Sequence, residues 1–181
     1  KKTALAKITE VASVGGQDGL LGMALKLGQD GKVTDAFVAY TYLDFSRPTR
    51  TDVADPSSPY GHMYMKVARL HYDAAAGRLA DRTDVLVGLP ASTDHNSGRL
   101  KLGPDGDLYL TIGDGGHNQF ANVCLPIEAQ RLPTTDEVAA ANYVAYQGKS
   151  LRIALDGSVP PDNPVIGGVR SHVFTYGHRN M

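Results

Sequence analysis

Residues 94–114 read DHNSGRLKLGPDGDLYLTIGD, and the centre of this stretch predicts a tight turn between two strands. Pro104-Asp105-Gly106-Asp107 has the composition of such a turn, because proline presets one backbone dihedral and glycine accepts positive φ. Antiparallel pairing about this turn predicts three facing pairs, namely Gly103 with Leu108, Arg99 with Ile112 and Ser97 with Asp114. His95 and Asp114 are then expected at the same end of the sheet.

His95 and Asp114 together form a candidate acid–base pair. An imidazole can act as a general base when a nearby carboxylate fixes its tautomer and orientation. The alternative is a loop histidine beside a turn aspartate with no catalytic part, and the residues alone leave both open. Ser97 close to His95 also suggests a hydrolase, but the sequence has no Gly-x-Ser-x-Gly elbow and both residues belong to one short loop.

The rest of the chain predicts an all-β fold. Short runs that are rich in β-branched and aromatic residues and bounded by turn residues predict strands at 36–43, 63–70, 84–87, 108–112, 149–155 and 172–176. The run Leu27-Gly28-Gln29-Asp30-Gly31 resembles Leu102-Gly103-Pro104-Asp105-Gly106. Such a repeat is expected where the hairpins of similar propeller blades recur.

Two segments are predicted to lie outside the strands. Residues 44–60 have the Ser, Pro, Thr and Asp content of a solvated loop. Residues 134–141 are the helical candidate, because Thr134 and Glu137 have the spacing of a capping box.

The composition limits the classes of function. The chain has 181 residues, 42% of them hydrophobic, which is enough for one domain with a sizeable core. Its 18 Lys and Arg nearly balance its 19 Asp and Glu, so no strong field favours nucleic acid or a membrane surface as a partner. No apolar run approaches the roughly 20 residues of a membrane span.

Cysteine and histidine usage adds little chemistry. The lone Cys124 excludes an internal disulfide and is predicted to be a small buried hydrophobe. No metal is assigned to the histidines outside the candidate pair, because they lack the close spacing of zinc ligands; these are His62, His71, His117 and His172.

Further short runs occur along the chain in a recognisable order, at 15–22, 94–100, 103–106, 111–114, 125–130, 148–149, 155–157, 162–164 and 177–180. Taken together, these runs resemble the soluble glucose and aldose dehydrogenases that depend on pyrroloquinoline quinone (PQQ), and they span nearly the whole chain. The resemblance implies a six-bladed β-propeller of which this chain supplies about half, as one incomplete domain over 1–181. An open half propeller leaves blade faces unpaired, so its stability alone is in question.

The resemblance also implies a reaction, the oxidation of the anomeric carbon of an aldose to the lactone with hydride transfer to PQQ. In this interpretation His95 is the general base, and Asp114 orients its ring and stabilises the imidazolium. Arg179 is placed at the quinone oxygens, where a guanidinium stabilises the arriving negative charge. His178 is set aside, because the neighbouring position in a strand points to the opposite face.

Binding roles are implied in the same way. Gln17, Arg179 and Asn180 are expected to contact the cofactor. Gln17 is also expected to contact the sugar, and Asp94 and Gln119 are expected to bind sugar hydroxyls.

Two departures from the family leave the sugar undecided: His117 stands where an arginine is common, and Phe120 where a smaller aliphatic residue is usual. The calcium ligands of the family, and several basic and aromatic cofactor contacts, are expected beyond Met181. We therefore interpret the chain as part of a larger protein that is inactive in this form and binds PQQ without high affinity on its own.

The enzyme interpretation carries expectations about context. It implies a small aldose substrate, an external electron acceptor and a periplasmic or secreted location, and it leaves a homo-oligomer open. The alternative is a non-enzymatic extracellular β-propeller binding module of the same superfamily, because fold does not fix function. The presence of His95, Gln17 and the Arg179-Asn180 pair favours the enzyme.

Overall fold

The computed structural model describes residues 3–181, and nearly all of its regular structure is β-strand. In chain order the strands are β1 (Leu20–Leu27), β2 (Val33–Leu43), β3 (Met63–Asp73), β4 (Arg78–Pro90), β5 (Ser97–Leu102), β6 (Leu108–Ile112), β7 (Lys149–Ile153), β8 (Val165–Ile166), β9 (Val169–Arg170) and β10 (Val173–Tyr176). The helices within the described residues are α1 (Thr135–Ala139) and the short 3₁₀ helices Pro59–His62, Phe120–Asn122 and Val144–Tyr146. The predicted all-β fold is confirmed, and every predicted strand run overlaps an observed strand.

Two four-stranded antiparallel sheets form the body of the structure. The first has the order β1-β2-β3-β4 and the second the order β10-β7-β6-β5, while β8 and β9 form a separate hairpin. The edge strands β1 and β5 approach each other, so the two sheets lie side by side. This is the arrangement of neighbouring blades in a propeller.

The main core fills the space between the two sheets. Its fully buried members include Phe37, Met63, Met65, Leu89, Leu110, Tyr146 and Leu151. Because successive side chains of a strand point to opposite faces, β2 also buries Val38 and Tyr40 in a second, smaller cluster on the other face of the first sheet. Burying one such large apolar side chain contributes about 1.5–3 kcal/mol.

Three loops that contain Asp-Gly, at 28–32, 103–107 and 154–158, share one geometry. In each, the first N–H donates to the carbonyl four residues on, and the glycine N–H donates back to the first carbonyl, at distances of 2.8–3.1 Å. An aspartate at the third position accepts from the N–H two residues later in all three loops. The predicted likeness of 27–31 and 102–106 is therefore confirmed, and 154–158 is a third copy that the sequence comparison missed.

The pairing of β5 with β6 is one residue away from the predicted register. The observed pairs are Leu102 with Leu108, Lys101 with Tyr109, Leu100 with Leu110 and Ser97 with Ile112. Gly103 lies in the loop, where its N–H donates to the Asp107 carbonyl at 2.8 Å, and so it does not face Leu108. A bulge between Ser97 and Leu100 shifts the pairing further, so the predicted partners of Arg99 and Ser97 were wrong as well.

Of the two segments predicted to lie outside the strands, the helical one is confirmed and the solvated loop needs a correction. The capping box is present, since the Thr134 hydroxyl accepts from the Glu137 N–H at 3.2 Å and the Glu137 carboxylate accepts from the Thr134 N–H at 2.9 Å. Residues 44–60 contain no strand, but the loop is packed rather than fully solvated, because Arg50 and Val53 are buried.

Candidate active site

His95 and Asp114 meet where the chain enters β5 and leaves β6. His95 Nδ1 lies 2.8 Å from Asp114 Oδ1, which confirms the predicted contact, and about nine-tenths of each side chain is buried. The same carboxylate oxygen accepts from the Gly116 N–H at 3.0 Å. Because a carboxylate only accepts, Nδ1 carries a proton, and Nε2 is left as the nitrogen that can take one.

The backbone around His95 is strained and held in place by Asn96. His95 has φ +49° and Ser97 has φ +57°, a region that costs side-chain-bearing residues about 1–3 kcal/mol each. The Asn96 amide donates to the carbonyls of Gln17 and Ser92, both at 2.7 Å, and its oxygen accepts from the Ser92 N–H at 2.8 Å. One buried side chain therefore joins the Gln17 turn to the His95 loop.

Gln17 reaches the site on the turn before β1. Its N–H donates to the Thr93 carbonyl at 2.9 Å, and its side-chain oxygen accepts from the His95 N–H at 3.0 Å. Gly16 allows this approach, because a Cβ there would lie 2.3 Å from the Thr93 oxygen.

Asp18 and Tyr60 fix the far side of the same turn. The Asp18 carboxylate accepts from the Tyr60 hydroxyl at 2.8 Å and from the Ser13 hydroxyl at 2.9 Å. Burial and this hydrogen bond raise the pKa of Tyr60 to about 12, so its hydroxyl stays a donor across the physiological range.

Arg179 and Asn180 reach the site along the chain that follows β10. The Arg179 carbonyl accepts from the Asp114 N–H at 2.7 Å, and its guanidinium donates to the side-chain oxygen of Gln119. The Asn180 side-chain oxygen accepts from the Ser97 hydroxyl at 2.8 Å.

Gln119 links the polar groups of the site. Its amide nitrogen lies 3.0 Å from Asp94 Oδ2 and 3.1 Å from His95 Nε2, while its oxygen accepts from Arg179. The structure therefore gathers every predicted site residue on one rim: Gln17, Asp94, His95, Asp114, Gln119, Arg179 and Asn180. Their chemical roles remain predictions.

The two departures from the family pattern lie in different environments. Phe120 follows Gln119 on the rim, and 86% of it is exposed. His117 is buried, with Nδ1 2.5 Å from the Pro126 carbonyl oxygen, and it lines the same cleft as Asp114, Gln119 and Arg179.

Three expectations need correction. The reason for setting His178 aside was wrong, since it lies outside the strands; its ring contacts the Thr175 hydroxyl at 2.7 Å. Ser97 is paired with Asn180 rather than with His95, which removes the geometric basis of the hydrolase alternative. Cys124 is exposed rather than buried, because it lies on the rim loop and not in a sheet.

Supporting residues were the part that the sequence reasoning missed. Asn96 was noted as part of the motif but given no task, and Ser92 was not noted. Gly113 also acts through its lack of a side chain, since a Cβ there would lie 1.8 Å from the His95 carbonyl oxygen. The only signal was the position of this glycine, directly between a strand and a candidate aspartate.

Lys149 is a further buried support next to the site. Its ammonium donates at 2.8–2.9 Å to three carbonyl oxygens, those of Glu128, Ala129 and Gln147. Burial lowers the pKa of Lys149 to about 8, against the opposing charge of Glu128. The preceding Gly148 N–H donates to the Gly113 carbonyl at 2.8 Å, so this buried cluster braces the turn that carries Asp114.

Within residues 3–181, no three His, Cys, Asp or Glu side chains come together in a way that could hold a metal ion. No helix in this described part combines the length and the apolar character needed to cross a bilayer.

Two four-stranded antiparallel sheets side by side, with polar loops collected at one rim, define a protein of the β-propeller class with a candidate site at the blade edges. The family model of the Glucose / Sorbosone dehydrogenases matches residues 1–181, and the chain belongs to this family. It is 44% identical over 167 residues to the quinoprotein glucose dehydrogenase B of Acinetobacter calcoaceticus, covering 91% of this chain and 32% of that protein.

Solved structures show the same likeness. The PQQ-bound aldose sugar dehydrogenase of Streptomyces coelicolor is 27% identical with a TM-score of 0.60, over 97% of this chain and 41% of that one. The soluble aldose sugar dehydrogenase of Escherichia coli is 25% identical with a TM-score of 0.63, over 99% of this chain and 43% of that one. The chain thus spans about a third of the length of the curated relative and about two-fifths of these solved chains.

Proposed function

We propose that the protein containing this chain oxidises the anomeric carbon of an aldose to the lactone, with hydride transfer to PQQ. The observation that carries the proposal is the His95–Asp114 pair, buried at a rim that also holds Gln17, Gln119 and Arg179. Family membership supports the same reaction class.

The donor set of this rim fits PQQ, a flat quinone that carries carboxylates. Arg179 supplies a planar cation, which suits carboxylate and quinone oxygens, and the amides of Gln17 and Asn180 add neutral hydrogen-bonding groups beside it. We place the cofactor against these three residues. When bound, PQQ supplies the hydride acceptor.

His95 Nε2 would take the proton from the anomeric hydroxyl. In the structure the Gln119 amide occupies this position at 3.1 Å, so a sugar hydroxyl must replace that amide. The Asp114 carboxylate keeps the proton on Nδ1 and stabilises the imidazolium that forms. Asp94 Oδ2 lies 3.9 Å from Nε2, within reach of a neighbouring sugar hydroxyl.

The setting of the enzyme remains part of the proposal. A calcium ion beside PQQ, held by segments outside this chain, an external electron acceptor and a periplasmic or secreted location are carried by the family resemblance. The choice of sugar depends on the rim, where the exposed Phe120 ring next to Gln119 offers an apolar surface.

The test is reconstitution of the complete protein with PQQ and calcium, followed by a panel of aldoses. We expect sugar-dependent reduction of the bound quinone in the wild type and strongly reduced rates in His95→Asn, which keeps a polar side chain of similar size. An Asp136→Asn variant, altered at an exposed carboxylate on α1, serves as the control. A PQQ-loaded protein that oxidises no aldose would contradict the proposal and favour the binding module.

A further inference from the structure

Another cleft, of about 420 Å³, lies outside the candidate active site. Its walls are residues 47–52, Tyr64, the end of β4 at Gly88 and Pro90, and residues 140–144. None of the seven candidate-site residues lines it. Any ligand it takes is therefore separate from the sugar and cofactor proposed above.

The guanidinium of Arg47 lies in this cleft among three contacts. Its Nε donates to Asp44 Oδ2 at 3.1 Å, and its Cζ lies 5.3 Å from the centre of the Tyr64 ring. Gly88, at φ +78°, lies flat against it, since a Cβ there would be 2.7 Å from Cζ and from both terminal nitrogens. Only glycine leaves room for the guanidinium at this position.

The outer edge of this guanidinium has no partner. No group within residues 3–181 accepts a hydrogen bond from Nη1 or Nη2 of Arg47, although its other contacts fix its plane. By contrast, Arg50 in the same wall is fully used, because it binds both oxygens of Asp52 at 3.0 and 2.6 Å and donates to two carbonyls. Asp52 also accepts from Gln147 at 2.7 Å, so its charge is already compensated.

The opposite wall offers neutral groups. The Tyr143 ring is nine-tenths buried and its hydroxyl has no hydrogen-bond partner among the described residues. Asn142 is exposed, and its oxygen accepts from the Val144 N–H at 3.4 Å, which leaves the amide nitrogen available. The rings of Tyr64 and Tyr143 add apolar surface on which a carbon skeleton can pack.

We propose that this cleft binds a small hydroxycarboxylate. The planar fork of Nη1 and Nη2 on Arg47 matches the two oxygens of a carboxylate, which is the geometry of a bidentate pair. Ligand hydroxyls would bind the Tyr143 hydroxyl and the Asn142 amide, and the volume accommodates an acid of about six carbons with some water.

The test is calorimetric titration of the complete protein with sodium D-gluconate. We expect one saturable site per chain, with affinity at least about tenfold weaker in Arg47→Gln, because the charged bidentate contact is lost. Arg78→Gln, which removes the same charge at an exposed position at the start of β4, should bind like the wild type. His95→Asn should also bind normally, which separates this site from the candidate active site.

Three results would overturn the proposal: no saturable gluconate binding, equal affinity in Arg47→Gln, or loss of binding in His95→Asn. Inorganic phosphate and D-glucose are the competing probes. Phosphate binding as tight as gluconate would refute the hydroxycarboxylate class, and equally tight glucose binding would refute recognition of the charge.

Discussion

Replacing Asp114 by asparagine tests what the negative charge contributes to the His95–Asp114 acid–base pair. A single oxygen of Asp114 accepts from both His95 Nδ1 and the Gly116 N–H, at 2.8 and 3.0 Å. An asparagine oxygen can accept both bonds in the same place, so the tautomer and the turn are retained while the negative charge is lost.

The size of the expected effect follows from this geometry. A hydrogen bond that involves a charged, buried group is worth about 1.5–3 kcal/mol, and about 1.4 kcal/mol corresponds to a tenfold change in rate. Because the His95 imidazolium forms during proton transfer, this loss falls mainly on the transition state. We therefore expect Asp114→Asn to slow sugar-dependent quinone reduction roughly 10- to 150-fold.

The assay is stopped-flow absorbance of bound PQQ in the complete protein at saturating sugar. Asp136→Asn is the matched control, since it removes one exposed carboxylate, on α1, that is not among the candidate-site residues. Cofactor content is measured in parallel, so that a loss of PQQ is not mistaken for a slower step. If folded, PQQ-loaded Asp114→Asn reduced the quinone within about twofold of the wild-type rate, the carboxylate would not support the base and our reasoning would fail.

Three further predictions concern the site and the fold. His95→Ala should lower the rate of quinone reduction roughly 10²- to 10⁴-fold with little change in PQQ affinity, whereas Arg179→Ala should lower both the rate and the affinity. Stopped-flow absorbance measures the rate and PQQ titration measures the affinity. An unchanged rate in His95→Ala would require another base. Gly113→Ala places a methyl group 1.8 Å from the His95 carbonyl oxygen, so urea unfolding should show a loss of about 1–3 kcal/mol, and full stability would contradict the close approach. Burial lowers the pKa of His172 below its usual 6.5, so the unfolded chain binds more protons and the free energy of unfolding should fall as the pH drops below 6.5, by at most about 1.4 kcal/mol per pH unit. Urea titrations at pH 7, 6 and 5 should show a shallower fall in His172→Gln, and equal slopes would exclude His172 as the cause.

Much of the fold could be predicted because its signals are local. The Asp-Gly hairpin loops need only one aspartate to accept from the backbone and one glycine at positive φ, and both are visible within five residues at 28–32 and 103–107. The capping box at Thr134 is equally local. The register of β5 was wrong for two reasons: the loop at 103–107 makes Leu102, not Gly103, the partner of Leu108, and the bulge beyond it depends on Ser97, a residue with a side chain, adopting φ +57°.

Less of the candidate site could be predicted from local patterns, because several of its contacts join distant parts of the sequence. The His95–Asp114 contact joins residues 19 positions apart through one hairpin, and the turn composition was enough to predict it. Gln17 is 78 positions from His95, and no local pattern predicts that contact. Family resemblance placed Gln17 and Arg179 at the same site as His95, but it did not predict this contact. Asn96 stayed unassigned because its role is visible only once both carbonyls that it binds have been placed.

The rigid and the adaptable parts of the rim are built differently. The His95–Asp114 pair is held by backbone hydrogen bonds between segments that are distant in the sequence. The Asp114 N–H donates to the Arg179 carbonyl, and the Gly113 carbonyl accepts from the Gly148 N–H. Such bonds keep the strained His95 backbone in place.

Gln119 lies instead at the start of a rim loop whose large apolar side chains, Phe120, Val123 and Ile127, are more than half exposed. A loop with so little buried apolar surface opens at low cost. The Gln119 amide nitrogen also contacts His95 Nε2, the atom that a sugar hydroxyl must reach. We therefore expect sugar binding to move the Gln119 loop while the His95–Asp114 pair stays fixed.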